Sequence, residues 1–136
     1  SDGVDFDYSN LKLDFVDIDN AKGDCLDFSF GKYEIKDGKL NNCADKAVSV
    51  GETSNLKVNK LDVLNSNIGI ASKDNSRVEI KNIKMKNLGY CLSVYNKKKE
   101  FGGGLINYSN MQCDNFIEKY DIGKKSKIFE NGKSVQ

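Results

Sequence analysis

Apolar residues in this chain recur in short alternating runs, and the runs themselves recur. Leu11, Tyr33, Leu56, Val78, Ile106 and Ile128 follow one another at intervals of 22, 23, 22, 28 and 22 residues. Two residues beyond the first five stand Leu13, Ile35, Val58, Ile80 and Tyr108, and seven beyond stand Ile18, Leu40, Val63, Met85 and Cys113. A third column holds Val4, Leu26, Val48, Ile70 and Leu92. Alternation over a few residues, rich in β-branched side chains and broken by turn residues, predicts strands rather than helices. Strands this short form no stable sheet by themselves, but each can pair with its equivalent one repeat away. The pattern therefore predicts an all-β fold, a single-stranded right-handed parallel β-helix of about five to six coils of roughly 22 residues.

The polar positions keep the same period. Nine residues after each of the first five coil starts comes Asn20, Asn42, Asn65, Asn87 or Asn115. Asn tolerates the left-handed backbone that a sharp corner needs, and stacked amides can hydrogen-bond from coil to coil. These five residues are the predicted corner ladder. Ser9, Gly31, Ser54, Ser76, Gly104 and Ser126 stand two residues before the coil starts, and Gly3, Cys25, Ala47, Gly69 and Cys91 form another small-residue column suited to a crowded corner.

An Asn corner, three strand columns and coils of this length resemble the right-handed parallel β-helix superfamily of pectate lyases and polygalacturonases. More narrowly, DGVDFDYS, GDCLDFSFG, DKAVSVG, IGIASKD and the loop YNKKKEFGG are similar to the C-terminal β-helix modules of spore-coat-protein-H-like bacterial surface proteins. The narrower resemblance implies a non-catalytic module attached to something upstream. On this reading residues 1–136 are one β-helix domain, a fragment or terminal module of a larger protein. Its N-terminal end coil is covered by an upstream domain or another copy.

Composition narrows the chemistry. The formal net charge of +1 gives no global polyanion-binding field, so nucleic acid is not an expected partner. The charge is unevenly spread: residues 1–50 carry eleven acids and six Lys, whereas residues 51–136 carry nine acids and fifteen Lys or Arg. No apolar run reaches the roughly 20 residues of a membrane-spanning helix. The chain has no His, which removes the commonest general base near neutral pH and the commonest metal ligand.

The phrase Asp-Gly-Val-Asp-Phe at 2–6 returns as Asp-Cys-Leu-Asp-Phe at 24–28. In a β-helix, Asp5 and Asp27 become outward neighbours about 5 Å apart, and Asp2 and Asp24 stack at the adjoining corner. Clustered carboxylates repel unless a cation or another partner offsets them, and an all-oxygen ligand set would favour Ca²⁺. The simpler alternative is that these residues keep exposed strands soluble and close the coil in Asx-type turns. Two carboxylates could also act as acid and base on a glycoside. Polygalacturonase-like enzymes, however, add a His and a basic motif, and the only Arg here is Arg77.

The one irregular spacing, 28 residues, contains YNKKKEFGGG at 95–104. Lys97, Lys98 and Lys99, flanked by Tyr95 and Phe101, are candidates for binding an anionic polysaccharide or phosphate, against the alternative of a solvated loop tip closed by flexible glycines. Cys25, Cys43, Cys91 and Cys113 fit small-residue or core positions on different coils, with no evident partners, while two disulfides stay open as the alternative if the protein is secreted. No Cys-x-x-Cys pair points to zinc.

The expected function is a non-catalytic surface or adhesion-type module that binds carbohydrate or a protein partner, outside the cell or at its surface. Apart from the Ca²⁺ candidate, no cofactor is expected. The alternatives are a carbohydrate-active lyase or hydrolase using the outward Asp residues, and a self-assembling structural module.

Overall fold

After one turn the backbone must return beside itself, close enough to hydrogen-bond, and the apolar columns mark where it does. In the computed structural model, which describes residues 3–136, the strands are β1 (Val4–Asp7), β2 (Asn10–Leu13), β3 (Val16–Ala21), β4 (Leu26–Ser29), β5 (Lys32–Ile35), β6 (Gly38–Gly51), β7 (Asn55–Lys73), β8 (Arg77–Tyr95), β9 (Leu105–Ile122), β10 (Lys127–Glu130) and β11 (Lys133–Ser134). The long strands β6 to β9 bend through corners and contribute to more than one face. Every pairing is parallel except β10 with β11. The result is an all-β parallel solenoid of about six turns.

The registers match the sequence columns residue for residue. Leu11 pairs with Tyr33, Tyr33 with Leu56, Leu56 with Val78, Val78 with Ile106 and Ile106 with Ile128. The third column runs Val4, Leu26, Val48, Ile70, Leu92 and then Tyr120. Three faces thus surround a core filled by side chains such as Leu26, Ile35, Leu56, Ile70, Leu92 and Ile106, none more than 1% exposed. The 28-residue interval changes nothing inside this frame, because its extra residues leave the coil as a loop between β8 and β9.

The corners explain the polar columns. Asn20, Asn42, Asn65, Asn87 and Asn115 all have left-handed backbones, with φ of 68°, 56°, 59°, 64° and 57°. Asn65 donates to Asn42 Oδ1 at 3.1 Å, Asn87 to Asn65 at 3.0 Å and Asn115 to Asn87 at 2.6 Å. The ladder begins one residue off the predicted column, since Asn42 donates to Asp19 Oδ1 rather than to Asn20. The small-residue columns reflect close backbone approach. A Cβ at Gly104 would lie 1.9 Å from Ser72 O, and one at Gly31 would lie 2.1 Å from Ser9 O.

The four cysteines form two disulfides, Cys25–Cys43 and Cys91–Cys113, the alternative that the sequence left open beside free core packing, and the structure supplies the pairing that the columns did not show. Each bridge joins one coil to the next, over 18 and 22 residues respectively. The columns identify residues that stack along the axis, but these bridges join different columns, Cys25 and Cys91 from the small-residue corner to Cys43 and Cys113. Disulfides persist in oxidising compartments, and these two fit such an environment. No helix among the described residues is long and apolar enough to cross a membrane.

At the C-terminal end, Asn131 and Gly132 take left-handed backbones (φ 49° and 79°) and turn β11 back against β10. Val135 then packs on the core. Inside this end the hydroxyls of Tyr108 and Tyr120 hydrogen-bond to each other, and burial raises the Tyr108 pKa.

Two stability outcomes follow from the corners and the bridges. Asn65→Ala should cost about 2–3 kcal/mol in urea unfolding, combining left-handed strain with lost ladder bonds, whereas Asn65→Gly should cost about 1 kcal/mol. Equal losses would show that backbone strain is not part of the Asn role. Replacing Cys25 and Cys43 together by Ala should lower stability by about 3 kcal/mol, the loop-closure value for a bridge of this span. A loss below about 1 kcal/mol would contradict it.

Candidate functional site

Of the carboxylates singled out in the sequence, Asp5 and Asp27 lie on the outer side of the third face. Asp5 and Asp27 are paired residues of β1 and β4, as their spacing predicts. Asp5 is exposed and Asp27 is half-buried. Asp24 is buried and bound to the next coil: its Oδ1 accepts the Lys46 backbone N–H at 3.1 Å and lies 3.7 Å from Lys46 Nζ. Asp2 lies outside the described residues. Among the described residues no group of three or more Asp, Glu or Cys side chains is gathered as a metal site.

Sequence reasoning missed the lysines that share this face. The outward column beginning with Asp5 and Asp27 continues through Ser49, Ala71, Ser93 and Asp121. Ser49, Ala71 and Ser93 are fully buried although they point outward from a surface strand. They form a floor of small side chains beneath larger neighbours. Lys73, one column over, has Cε only 3.0 Å from where a Gly51 Cβ would sit, and its Nζ donates to Ser49 Oγ at 3.0 Å. The Lys73 stem therefore lies flat across Gly51, a contact that any side chain at position 51 would block. Ser93 Oγ in turn donates to Asp121 at 2.9 Å.

This layer contains opposing electrostatic environments. Burial pushes the Lys73 ammonium below the ordinary lysine pKa, and Lys46 and Lys97 push the same way, against the carboxylates of Asp27 and Asp24. Burial also works against the Lys46 charge, but the hydrogen bond that Lys46 Nζ donates to Asp45 Oδ2 at 2.8 Å, with Asp24 close by, outweighs it and raises the Lys46 pKa. Tyr95 is half-buried in the same field. Burial raises its phenol pKa, Lys46 opposes that shift, and Asp45 and Asp24 add to it. Lys46, Lys73 and Tyr95 thus converge with Asp24 and Asp27 into a single polar layer above the Ser–Ala–Ser floor.

The loop after Tyr95 is anchored to the body. Asp74 is fully buried, and its Oδ1 accepts the backbone N–H groups of Lys97 and Lys98 at 2.8 and 2.9 Å. The Asn96 amide donates to the carbonyls of Lys98, Phe101 and Gly102. Lys98 pairs with Glu52 at 2.6 Å, and Lys97, Lys98 and Lys99 are all exposed. The glycine run serves close packing rather than flexibility: a Cβ at Gly102, Gly103 or Gly104 would meet another residue at 2.6, 2.3 or 1.9 Å. The three lysines therefore do not share one role.

Another concave region lies elsewhere, a trough of about 600 Å³ on the face built from β2, β5 and the starts of β7 and β8. One row of its charges alternates along the axis as Lys12, Glu34, Lys57 and Glu79, with Lys12 paired to Glu34 at 3.9 Å, and Lys32 and Arg77 line the same trough. Asp17, Lys39, Asp62 and Lys84 alternate similarly on the second face. Such rows neutralise themselves, so the third-face layer carries the more distinctive chemistry.

No known protein family, curated protein or solved structure matches the chain. The likeness to pectate-lyase-like and spore-coat-protein-H-like proteins is therefore supported only as a parallel β-solenoid.

The depressed pKa of Lys73 sets a sign for pH dependence. Between its folded and unfolded pKa values the unfolded chain holds more protons, so stability contributed at this site rises with pH. Wild type should gain stability relative to Lys73→Met as pH increases from 7 toward 10, followed by urea unfolding. A difference that stays flat would mean that the Lys73 charge is not penalised in the fold.

Proposed function

We propose that the chain is a non-catalytic module that binds an extended carbohydrate along its third face, outside the cell or at its surface. The observation that carries this reading is the fixed polar layer on that face: Tyr95, Lys46, Lys73, Asp24 and Asp27 over the closed floor of Ser49, Ala71 and Ser93. Tyrosine offers a flat apolar ring with a polar tip. The surrounding ammonium and carboxylate groups are already held in position, which lowers the ordering cost of binding a hydroxyl-rich chain. The layer runs along the solenoid axis, the direction in which a linear polymer would lie. Two disulfides are consistent with an oxidising environment.

Absence of catalysis is also part of the proposal. Ser49 and Lys73 have the atom types of a nucleophile and a base, but the serine is fully buried and its hydroxyl is covered by the lysine. A substrate has no approach to that oxygen. The alternative reading, a glycan-cleaving enzyme, draws on the close set of Asp24, Asp27, Lys46 and Lys73 on one face.

Calorimetric titration against a panel of soluble neutral oligosaccharides should find at least one ligand, and Tyr95→Ala should weaken it at least tenfold. Binding that survives Tyr95→Ala unchanged would remove the third face from the proposal. New reducing ends or unsaturated products after incubation would favour the enzyme reading.

A further inference from the structure

The inserted loop creates a second concavity that the carboxylate face does not share. Its returning limb, Gly102–Gly104, packs against the solenoid corner and walls a cleft of about 380 Å³. Asn75, Ser76, Arg77, Leu105, Lys125 and Lys127 complete the lining. The cleft therefore holds three cations, Arg77, Lys125 and Lys127, and among the described residues no acidic side chain lines it. Among the described residues none of the three forms an ion pair. Glu79, the nearest acid along the strand from Arg77, accepts instead from the Asn107 amide at 3.0 Å.

The backbone fixes these charges in place. Arg77 pairs with Leu105, and Leu105 with Lys127, so the two cations stand two coils apart on either side of an apolar residue. Two inter-strand spacings are about 10 Å, a gap that two long side chains can close around one anionic group. Lys125 is held in a left-handed backbone (φ 61°), where a residue with a Cβ is uncommon. Asn75 is left-handed as well (φ 66°), and its Oδ1 accepts the Gly102 N–H at 2.8 Å, tying the glycine wall to the corner. The Lys12–Glu34–Lys57–Glu79 and Asp17–Lys39–Asp62–Lys84 rows alternate in sign. This cleft instead gathers one sign on a chain whose net charge is only +1.

We infer that the cleft between the Gly102–Gly104 limb and Arg77, Lys125 and Lys127 binds a sulfate or carboxylate group of an acidic polysaccharide. The polysaccharide part rests on the carbohydrate reading above; the anion site stands on the cleft itself. Guanidinium grips such oxygens in a planar, bidentate way, and the two ammonium groups add charge. No aromatic side chain lines the cleft, so it lacks the stacking platform that single-stranded nucleic acid uses.

The test compares a sulfated dextran, an uncharged dextran of the same length, inorganic sulfate and a single-stranded DNA of matched charge. Sulfated dextran should bind, and its affinity should fall as salt rises. Arg77→Gln/Lys125→Gly/Lys127→Gln should reduce that affinity at least tenfold. Glycine adopts the backbone at 125 without strain, and the other two side chains are exposed, so this variant should remain folded by circular dichroism. Lys12→Gln/Lys57→Gln, which removes charge from the same side of the solenoid outside the cleft, should stay within about twofold of wild type. Inorganic sulfate should shift the amide resonances of Gly103 and Lys125.

Wild-type failure to bind sulfated dextran, equal losses in the two variants, or tighter binding of DNA would each overturn the inference. Sulfate shifts at Gly103 and Lys125 without any binding of neutral oligosaccharides would retain the anion site while rejecting the carbohydrate reading of the third face.

Discussion

Backbone hydrogen bonding between successive coils is the constraint on which the rest of this protein depends. Each coil is too short and too polar to fold alone, and its strands gain partners only from the coil before and the coil after. A parallel ladder holds like positions about 4.8 Å apart, so each residue must suit both its own surroundings and its equivalents along the axis. Buried aliphatic side chains meet this condition readily. Asparagine amides meet it by donating to one neighbour and accepting from the other, as Asn65 does between Asn42 and Asn87. Charged residues meet it by alternating in sign, as in the Lys12, Glu34, Lys57 and Glu79 row.

The exceptions to this order cluster around the end of the third face. Asp5 and Asp27 place like charges side by side, Lys73 is buried beside another ammonium, and a loop leaves the coil between Tyr95 and Leu105. These features are linked. Gly51 leaves room for the Lys73 stem, which covers the Ser49 hydroxyl. Asp74, one residue after Lys73, holds the first turn of the loop through two backbone N–H groups. A solenoid tolerates such local departures because the neighbouring coils remain paired. The Arg77–Lys127 cleft is a consequence of the same insertion.

Much of the fold was legible because its period is written in side-chain types. The five corner asparagines, the three apolar columns and the Asp5–Asp27 neighbours could all be placed by counting along the chain. Counting failed where contacts cross between columns. Cys25 and Cys43 meet from different columns, as do Cys91 and Cys113, at intervals of 18 and 22 residues that no axial repeat distinguishes. It also fails on the third face, where the period places Ser49, Ala71 and Ser93 in one column with Asp5 and Asp27, yet all three are buried. Their burial depends on the direction in which Lys73 and its neighbours lie, a property of side-chain packing rather than of period.

The sequence by itself determined the repeat, the all-β class, the residues that stack on one another and the corners that need asparagine. Each of these follows from local backbone chemistry repeated at a fixed interval. Only the tertiary structure decided which cysteines join, which carboxylates receive a lysine and where a loop closes a basic cleft. Those outcomes depend on side chains from separate coils and separate columns reaching the same few ångströms, and a linear period carries no information about that direction.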